Sequence, residues 1–170
     1  MVEGPNGSGK TSLLRLVAGL LPAASGTLWV SGGDIVIEER EERGKLIGWL
    51  GHHDAVKPQL TAAELLRFFA RLQGTRAQSV TAALERVGLS CAADLPCQYL
   101  SAGQKKRLAL ARLKLCGRPL WLLDEPLAAL DADGKSLLLT MMREHLATGG
   151  LALVATHDPI DLEAARLQLA

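Results

Sequence analysis

The sequence predicts an α/β fold built on a mostly parallel sheet, with a helical lobe inserted between strands. Two observations carry that expectation. "PLWLLDEP" (119–126) and "LALVAT" (151–156) are apolar on both sides of the strand pleat and alternate with helical patterns, as strands of a doubly covered parallel sheet do. Residues 61–116 instead run helix after helix with no strand between them.

Taken in order, "MVEGPNGSGKTSLLRLVAGLL" reads as a strand stub, a glycine-rich turn and a helix. Leu13, Leu16, Val17 and Leu20 recur at helical spacing and are expected to bury one face. "GTLWVSGGDIVI" reads as two short strands broken at Gly32-Gly33, a hairpin signal. "EEREERGK" (38–45) mixes charge signs and is expected to be a solvated face or loop. "KLIGWL" is a strand that ends at two adjacent histidines. Thr61 is placed to cap a helix running to Gly74, with Glu64 completing a capping box. Ser79–Val87 forms a second helix closed by Gly88, and Ser101 caps a third through "AGQKKRLALARLKLC". "ADGKSLLLTMMREHLA" is an amphipathic helix in which Met141 and Met142 serve packing. Trp29, Trp49 and Trp121 fall in strand patterns and are expected in the core. "KKR" (105–107) is expected to be mainly solvated.

The bulk numbers bound the function. At 170 residues, 48% hydrophobic and 22% charged, the chain has the composition of one globular domain. A net charge of +1 gives no basic surface for nucleic acid. Three cysteines, Cys91, Cys97 and Cys116, suit free thiols in a reducing compartment, and Cys91 and Cys97 are not at zinc spacing. No charged segment followed by an apolar stretch opens the chain, so no secretion signal is expected. Apolar runs stop well short of the ~18 residues that a membrane span needs. Any membrane role is therefore expected to come through a partner.

Two motifs carry chemistry. "GPNGSGKT", Gly4 to Thr11, matches the spacing of a phosphate-binding loop. Glycines let successive backbone N–H groups converge on a phosphate, and the helix that follows adds the positive end of its dipole. Lys10 is expected on the β- and γ-phosphates and Thr11 on Mg²⁺. "LWLLDE" then delivers Asp124 to the C-terminal end of a strand, where α/β ligand sites lie. Asp124 is expected to hold Mg²⁺ through water, and Glu125 to polarise an attacking water. His52 and His53 are poor metal-site candidates, because neighbours in sequence point apart and no further ligand sits at suitable spacing.

"LSAGQ" (100–104) resembles the LSGGQ signature of the ATP-binding cassette (ABC) ATPases, with Ala102 at the first glycine. "AALD" (128–131) and "ATH" (155–157) follow in that family's order. The resemblance covers essentially the whole chain. It implies a P-loop fold of the ABC ATPase type and one nucleotide-binding domain over 1–170, with its helical signature lobe at about 61–116. It also implies nucleotide contacts by Gly4, Pro5, Asn6, Gly7, Ser8, Gly9, Lys10, Thr11, His52, Ser101, Gly103, Gln104 and Asp131. Two such domains pair head to tail in the family, so Ser101 and Gly103 are expected at the ATP of a second copy. A serine-capped helix N-terminus is physically suited to an anion. His157 is implied as the switch histidine, catalytic together with Glu125 and Lys10, with ATP and Mg²⁺ as cofactors.

"GHHDAVKPQLTAAELLRF", with the signature and "PLWLLDEP", narrows the resemblance to the ATP-binding proteins of cytochrome c biogenesis. His52 stands where most ABC ATPases carry a glutamine that senses Mg²⁺ and the membrane subunit. An imidazole can accept a hydrogen bond from a metal-bound water. Glu64 is followed by Leu65 where that subfamily has Asn. The implied function is ATP hydrolysis for heme export or handling, on the cytoplasmic face of a bacterial inner membrane, through integral membrane subunits. The resemblance further implies first strands and an adenine-stacking aromatic ahead of Met1. With three residues before the phosphate loop, the expectation is that those N-terminal strands are missing from this sequence. The rival readings are an ABC ATPase for another transported substrate, a soluble ABC protein acting on DNA or ribosomes, and a non-catalytic interaction module.

Overall fold

The computed structural model describes residues 1–32, 35–51, 56–72 and 78–170. In chain order the elements are β1 (Val2–Glu3), α1 (Lys10–Val17), β2 (Val30–Gly32), β3 (Ile35–Ile37), α2 (Arg40–Leu46), β4 (Ile47–Leu50), α3 (Ala62–Leu72), α4 (Gln78–Arg86), α5 (Ala102–Leu115), β5 (Leu120–Asp124), α6 (Ala132–Ala147), β6 (Leu151–Ala155) and β7 (Leu167–Gln168). Five strands form one sheet in the order β4-β5-β6-β1-β7, and every pairing in it is parallel. β2 and β3 form a separate antiparallel pair with Val30 opposite Ile37.

β5 explains why its sequence is an unbroken apolar run. All five of its residues are buried, and its side chains alternate between two cores. Trp121 and Leu123 pack with Leu50, Leu110, Leu138 and Met141 on the side of α5 and α6. Leu120 and Leu122 pack with Val2, Leu14 and Ala155 on the side of α1. A third core gathers Leu66, Leu84, Leu100 and Leu108 among α3, α4 and α5. α5 belongs to two of these cores, because Leu108 and Ala111 face the helices while Ala109, Leu110 and Leu113 face the sheet. Gly48 lets α5 close on β4, since a Cβ there would sit 2.7 Å from Leu113 Cδ1. Among the described residues no helix is long and apolar enough to cross a membrane.

Helix starts follow the sequence closely. Thr61 Oγ1 accepts from Glu64 N–H at 3.2 Å while Thr61 N–H donates to Glu64 Oε2 at 2.8 Å, a reciprocal cap for α3. Those bonds hold the Glu64 carboxyl below its usual range. Ser101 and Gln104 make the same box at α5, and the Asp131 carboxylate caps α6 through Gly134 N–H at 2.8 Å.

Several expectations need correction. Of the two readings of the charged run 38–45, it is a solvated face and not a loop: α2 occupies Arg40–Leu46, all of the run but Arg43 is exposed, and KLIGWL becomes strand only from Ile47. Arg43 is its buried residue, and donates to the carbonyls of Leu28 at 2.7 Å and Glu38 at 2.6 Å. In α1 the fully buried residue is Leu14, and Leu20 lies beyond the helix end at 58% exposure. Trp29 precedes β2 and is 55% exposed, Trp49 is half-buried in β4, and Trp121 is core. In "KKR", Lys106 is only 2% exposed. The strand β7 was not anticipated.

Candidate active site

The parallel sheet sends the C-terminal ends of β1, β4, β5 and β6 to one edge, the usual place for an α/β ligand site. A cavity of 440 Å³ opens there, lined by Asn6, Gly7, Gly9, Lys10, Thr11, Ser12, Asp124, Glu125 and His157. Residues from three separate stretches of chain thus meet in one place.

The loop after β1 has the shape its glycines allow. A Cβ on Gly4 would lie 2.6 Å from Ser8 Oγ and 2.7 Å from the Leu169 carbonyl, so only glycine fits. Gly9 starts α1 from the left-handed region at φ 93°, which a side chain would strain. No side chain caps α1, unlike α3, α5 and α6. Its first N–H groups and dipole therefore face the cavity as an anion site. Lys10 is buried, and its ammonium donates to the Gly4 carbonyl at 2.7 Å and the Pro5 carbonyl at 2.9 Å. Those bonds hold the cation across the mouth of the loop.

Thr11 Oγ1 donates to both carboxylate oxygens of Asp124 at 3.0 Å each. Asp124 is 4% exposed, so a charged carboxylate and a hydroxyl meet in a nearly dry setting. Two hard oxygen donors from separate elements are a donor set that suits Mg²⁺.

Glu125 departs from ordinary backbone geometry. Its φ is 48°, a left-handed conformation that costs a non-glycine residue roughly 1–2 kcal/mol. The bond from Glu125 N–H to the Ala155 carbonyl at 2.8 Å and that from Ala128 N–H to the Glu125 carbonyl at 3.2 Å hold the turn. The turn brings Glu125 into the cavity directly after Asp124. His157 reaches the same carboxylate twice: its backbone N–H donates to Oε2 at 3.4 Å, and its ring Nε2 lies 3.7 Å from Oε1. Thr156 Oγ1 accepts from Asp158 N–H at 3.0 Å and so shapes the turn carrying that histidine.

Other expected site residues lie elsewhere. Gly4 does not line that cavity but a neighbouring one of 340 Å³, to which His157 also contributes. Ser101 is exposed at the start of α5, and its oxygen accepts from Gln104 N–H at 3.2 Å. Gly103 packs on the turn before α6, where a Cβ would lie 3.2 Å from the Ala129 carbonyl. Asp131 does not line the cavity. Its carboxyl is held below its usual range first by Gly134 N–H and then by Arg107, whose guanidinium donates to it at 2.7 Å. His52 lies outside the described residues. Sequence reasoning missed Arg107, the backbone carbonyl of Ala155 and the cavity wall at Ser12. Arg107 and the Ala155 carbonyl have no sequence signal, because each acts through a fold-dependent neighbour.

Comparison with known proteins agrees with this geometry. The family model described as "ABC transporter" matches residues 1–128. The "Cytochrome c biogenesis ATP-binding export protein CcmA" of Rhodopseudomonas palustris (strain BisB5) is 47% identical over 166 residues, 98% of this chain and 81% of that protein. The protein of the same name from Paracoccus denitrificans is 46% identical, over 98% of this chain and 73% of its own length. Among solved structures, the dimeric post-hydrolysis state of the ATP-binding cassette MJ0796 bound to ADP and Pi superposes with a TM-score of 0.77. It shares 26% identity and covers 92% of this chain and 73% of its own. The chain belongs to the ABC transporter family and, within it, to the cytochrome c biogenesis ATP-binding export proteins.

Proposed function

We propose that the chain is the ATP-hydrolysing subunit of an ABC transporter that exports or handles heme for c-type cytochrome biogenesis. The observation that carries the reading is the meeting, in one 440 Å³ cavity, of the phosphate loop, the Thr11–Asp124 pair and the Glu125–His157 pair. Support for the cargo comes from the names of relatives about 47% identical over nearly the full chain.

In this reading the amides of the loop and of α1 take the phosphates of ATP, and Lys10 adds a compact positive charge on the β- and γ-phosphates. Thr11 and Asp124 are the residues that would hold Mg²⁺, which when bound neutralises phosphate charge. Glu125 orients a water and accepts its proton. The water oxygen bonds to the γ-phosphorus, and the β–γ bridging oxygen leaves with the electron pair on ADP. His157 keeps the Glu125 carboxylate aimed and meets the departing phosphate. Most of the acceleration is positioning and charge stabilisation.

The exposed Ser101 hydroxyl and the cap at α5 serve the nucleotide of a second copy, paired head to tail; a solved neighbour of the same fold is a dimer. His52 takes the sensing position of the family's glutamine, by its place in the sequence. Membrane subunits hold the chain at the cytoplasmic face of the inner membrane.

Complementation tests the reading. In cells lacking their own ATPase of this system, the wild-type chain should restore covalent heme on c-type cytochromes, and Lys10→Ala should not. Restoration by Lys10→Ala would remove ATP from the role. Failure of the wild type, with ATP hydrolysis intact in vitro, would favour another cargo.

A further inference from the structure

α5 reaches across to the edge strand β4 with two cations. Arg112 donates to the Trp49 carbonyl at 3.1 Å, and Lys106 Nζ to the Gly51 carbonyl at 3.4 Å. The Arg112 guanidinium also lies over the Phe69 ring, 5.1 Å from its centroid, which fixes that end of the contact against α3. The Lys106 end is different. The residue is 2% exposed, on the turn of α5 next to the Ser101 cap, and its acceptor, Gly51, directly follows β4 and is the last described residue before 52–55. Gly51 is itself buried, with the Trp49 ring folded over it: a Cβ there would meet Trp49 Nε1 at 2.6 Å. Burying an ammonium is costly unless it is bonded, so a lysine in this place needs a partner that stays in position.

We propose that Lys106 is a positioning residue for hydrolysis, which ties the end of β4 to the Ser101 end of α5. When a second copy's nucleotide engages Ser101, the movement of α5 reaches the chain beyond Gly51 through this buried bond. α5 is suited to carry it, because it is packed into both the helical core and the sheet core. The proposal rests on the ATPase reading above and adds to it a route between the signature helix and the chain that leaves β4.

The test compares Lys106→Met and Lys106→Arg with wild type in the full chain. Steady-state hydrolysis is measured together with hydrogen exchange of segments 46–51 and 10–17, with and without ATP. Lys106→Met should lower kcat about five-fold, a change typical of coupling residues, with KM for ATP within about two-fold. Exchange in 10–17 should still respond to ATP, while the response in 46–51 is lost. Lys106→Arg should recover both. Should Met not fold, Lys106→Leu, which likewise has no donor, takes its place with the same expectations. Wild-type kcat and an intact ATP response in 46–51 would overturn the proposal. So would an Arg variant as impaired as Met, since that marks a packing requirement. The response of 10–17 reports ATP binding separately, so failure of the proposal and failure of the ATPase reading give different results.

Discussion

Thr11, at the start of α1, and Asp124, at the end of β5, are joined by two hydrogen bonds of 3.0 Å across 113 positions of sequence. The pair links the phosphate loop to the central strand, and Asp124 is nearly out of contact with water. A buried carboxylate that loses its donor is left poorly satisfied.

Thr11→Ala is therefore expected to raise the Mg²⁺ concentration for half-maximal hydrolysis by about ten-fold or more, as loss of an oxygen donor or its supporting bond does. Titrating Mg²⁺ at saturating ATP measures it. An unchanged Mg²⁺ dependence would take Thr11 out of the metal site.

Ser101→Arg should block hydrolysis without weakening ATP binding to the phosphate loop of the same chain, because Ser101 lies outside that chain's own cavity. Mixed dimers pairing one Ser101→Arg chain with one Lys10→Ala chain resolve it. In a head-to-tail pair the two lesions of the mixed dimer fall on one shared site and leave the other intact, whereas a chain carrying both lesions, paired with wild type, damages both sites. The mixed dimer should therefore keep more activity than the double mutant paired with wild type. Lesions that map to the same chain's site in every pairing would contradict the arrangement.

How much of this was legible in the sequence depends on whether the signal was local. The phosphate loop, the caps at Thr61 and Ser101, and the run ending in Asp124 are each set by a few neighbouring residues, and each appears where the pattern puts it. α2 was missed because its fold-side anchor is Arg43, a charged residue bonded to two carbonyls, and not an apolar stripe. β7 has two exposed residues and offers no alternation to read. Lys106 and the Arg107–Asp131 pair look like surface charge until α5 is set against β4 and the start of α6. Glu125 could be guessed from its place after Asp124, but its left-handed backbone could not.

Asp131 ties two elements, so its loss should be felt as stability. Asp131→Ala removes both the cap of α6 and the partner of Arg107, and should lower the thermal midpoint more than Asp131→Asn, which keeps an acceptor for Gly134 N–H. Because its folded pKa lies below the unfolded value of 3.8, its contribution is present above that pH and fades as pH falls further. Equal midpoints for the Ala and Asn variants would show that the cap contributes nothing.

His145 gives a second pH dependence at a higher range. Its ring stacks on Trp121 with centroids 4.0 Å apart, and burial holds its pKa below the ordinary 6.5. The unfolded chain takes up the proton first, so this stabilisation is present above 6.5 and is lost as pH falls through the lower folded value. Thermal melts from neutral pH to about pH 5 should show a steeper decline for wild type than for His145→Phe, which keeps an aromatic stack but cannot titrate. Parallel declines would mean that His145 does not drive the acid sensitivity.

The central claim, that Glu125 activates water at a phosphate site built by Lys10, Thr11 and Asp124, is tested most directly by steady-state phosphate release from Glu125→Gln. Bound nucleotide is measured on the same samples. Turnover should fall about a hundred-fold or more, the scale of a lost general base, while ATP stays bound and the dimer accumulates. Turnover within a few-fold of wild type would contradict the account, whatever the variant does to binding.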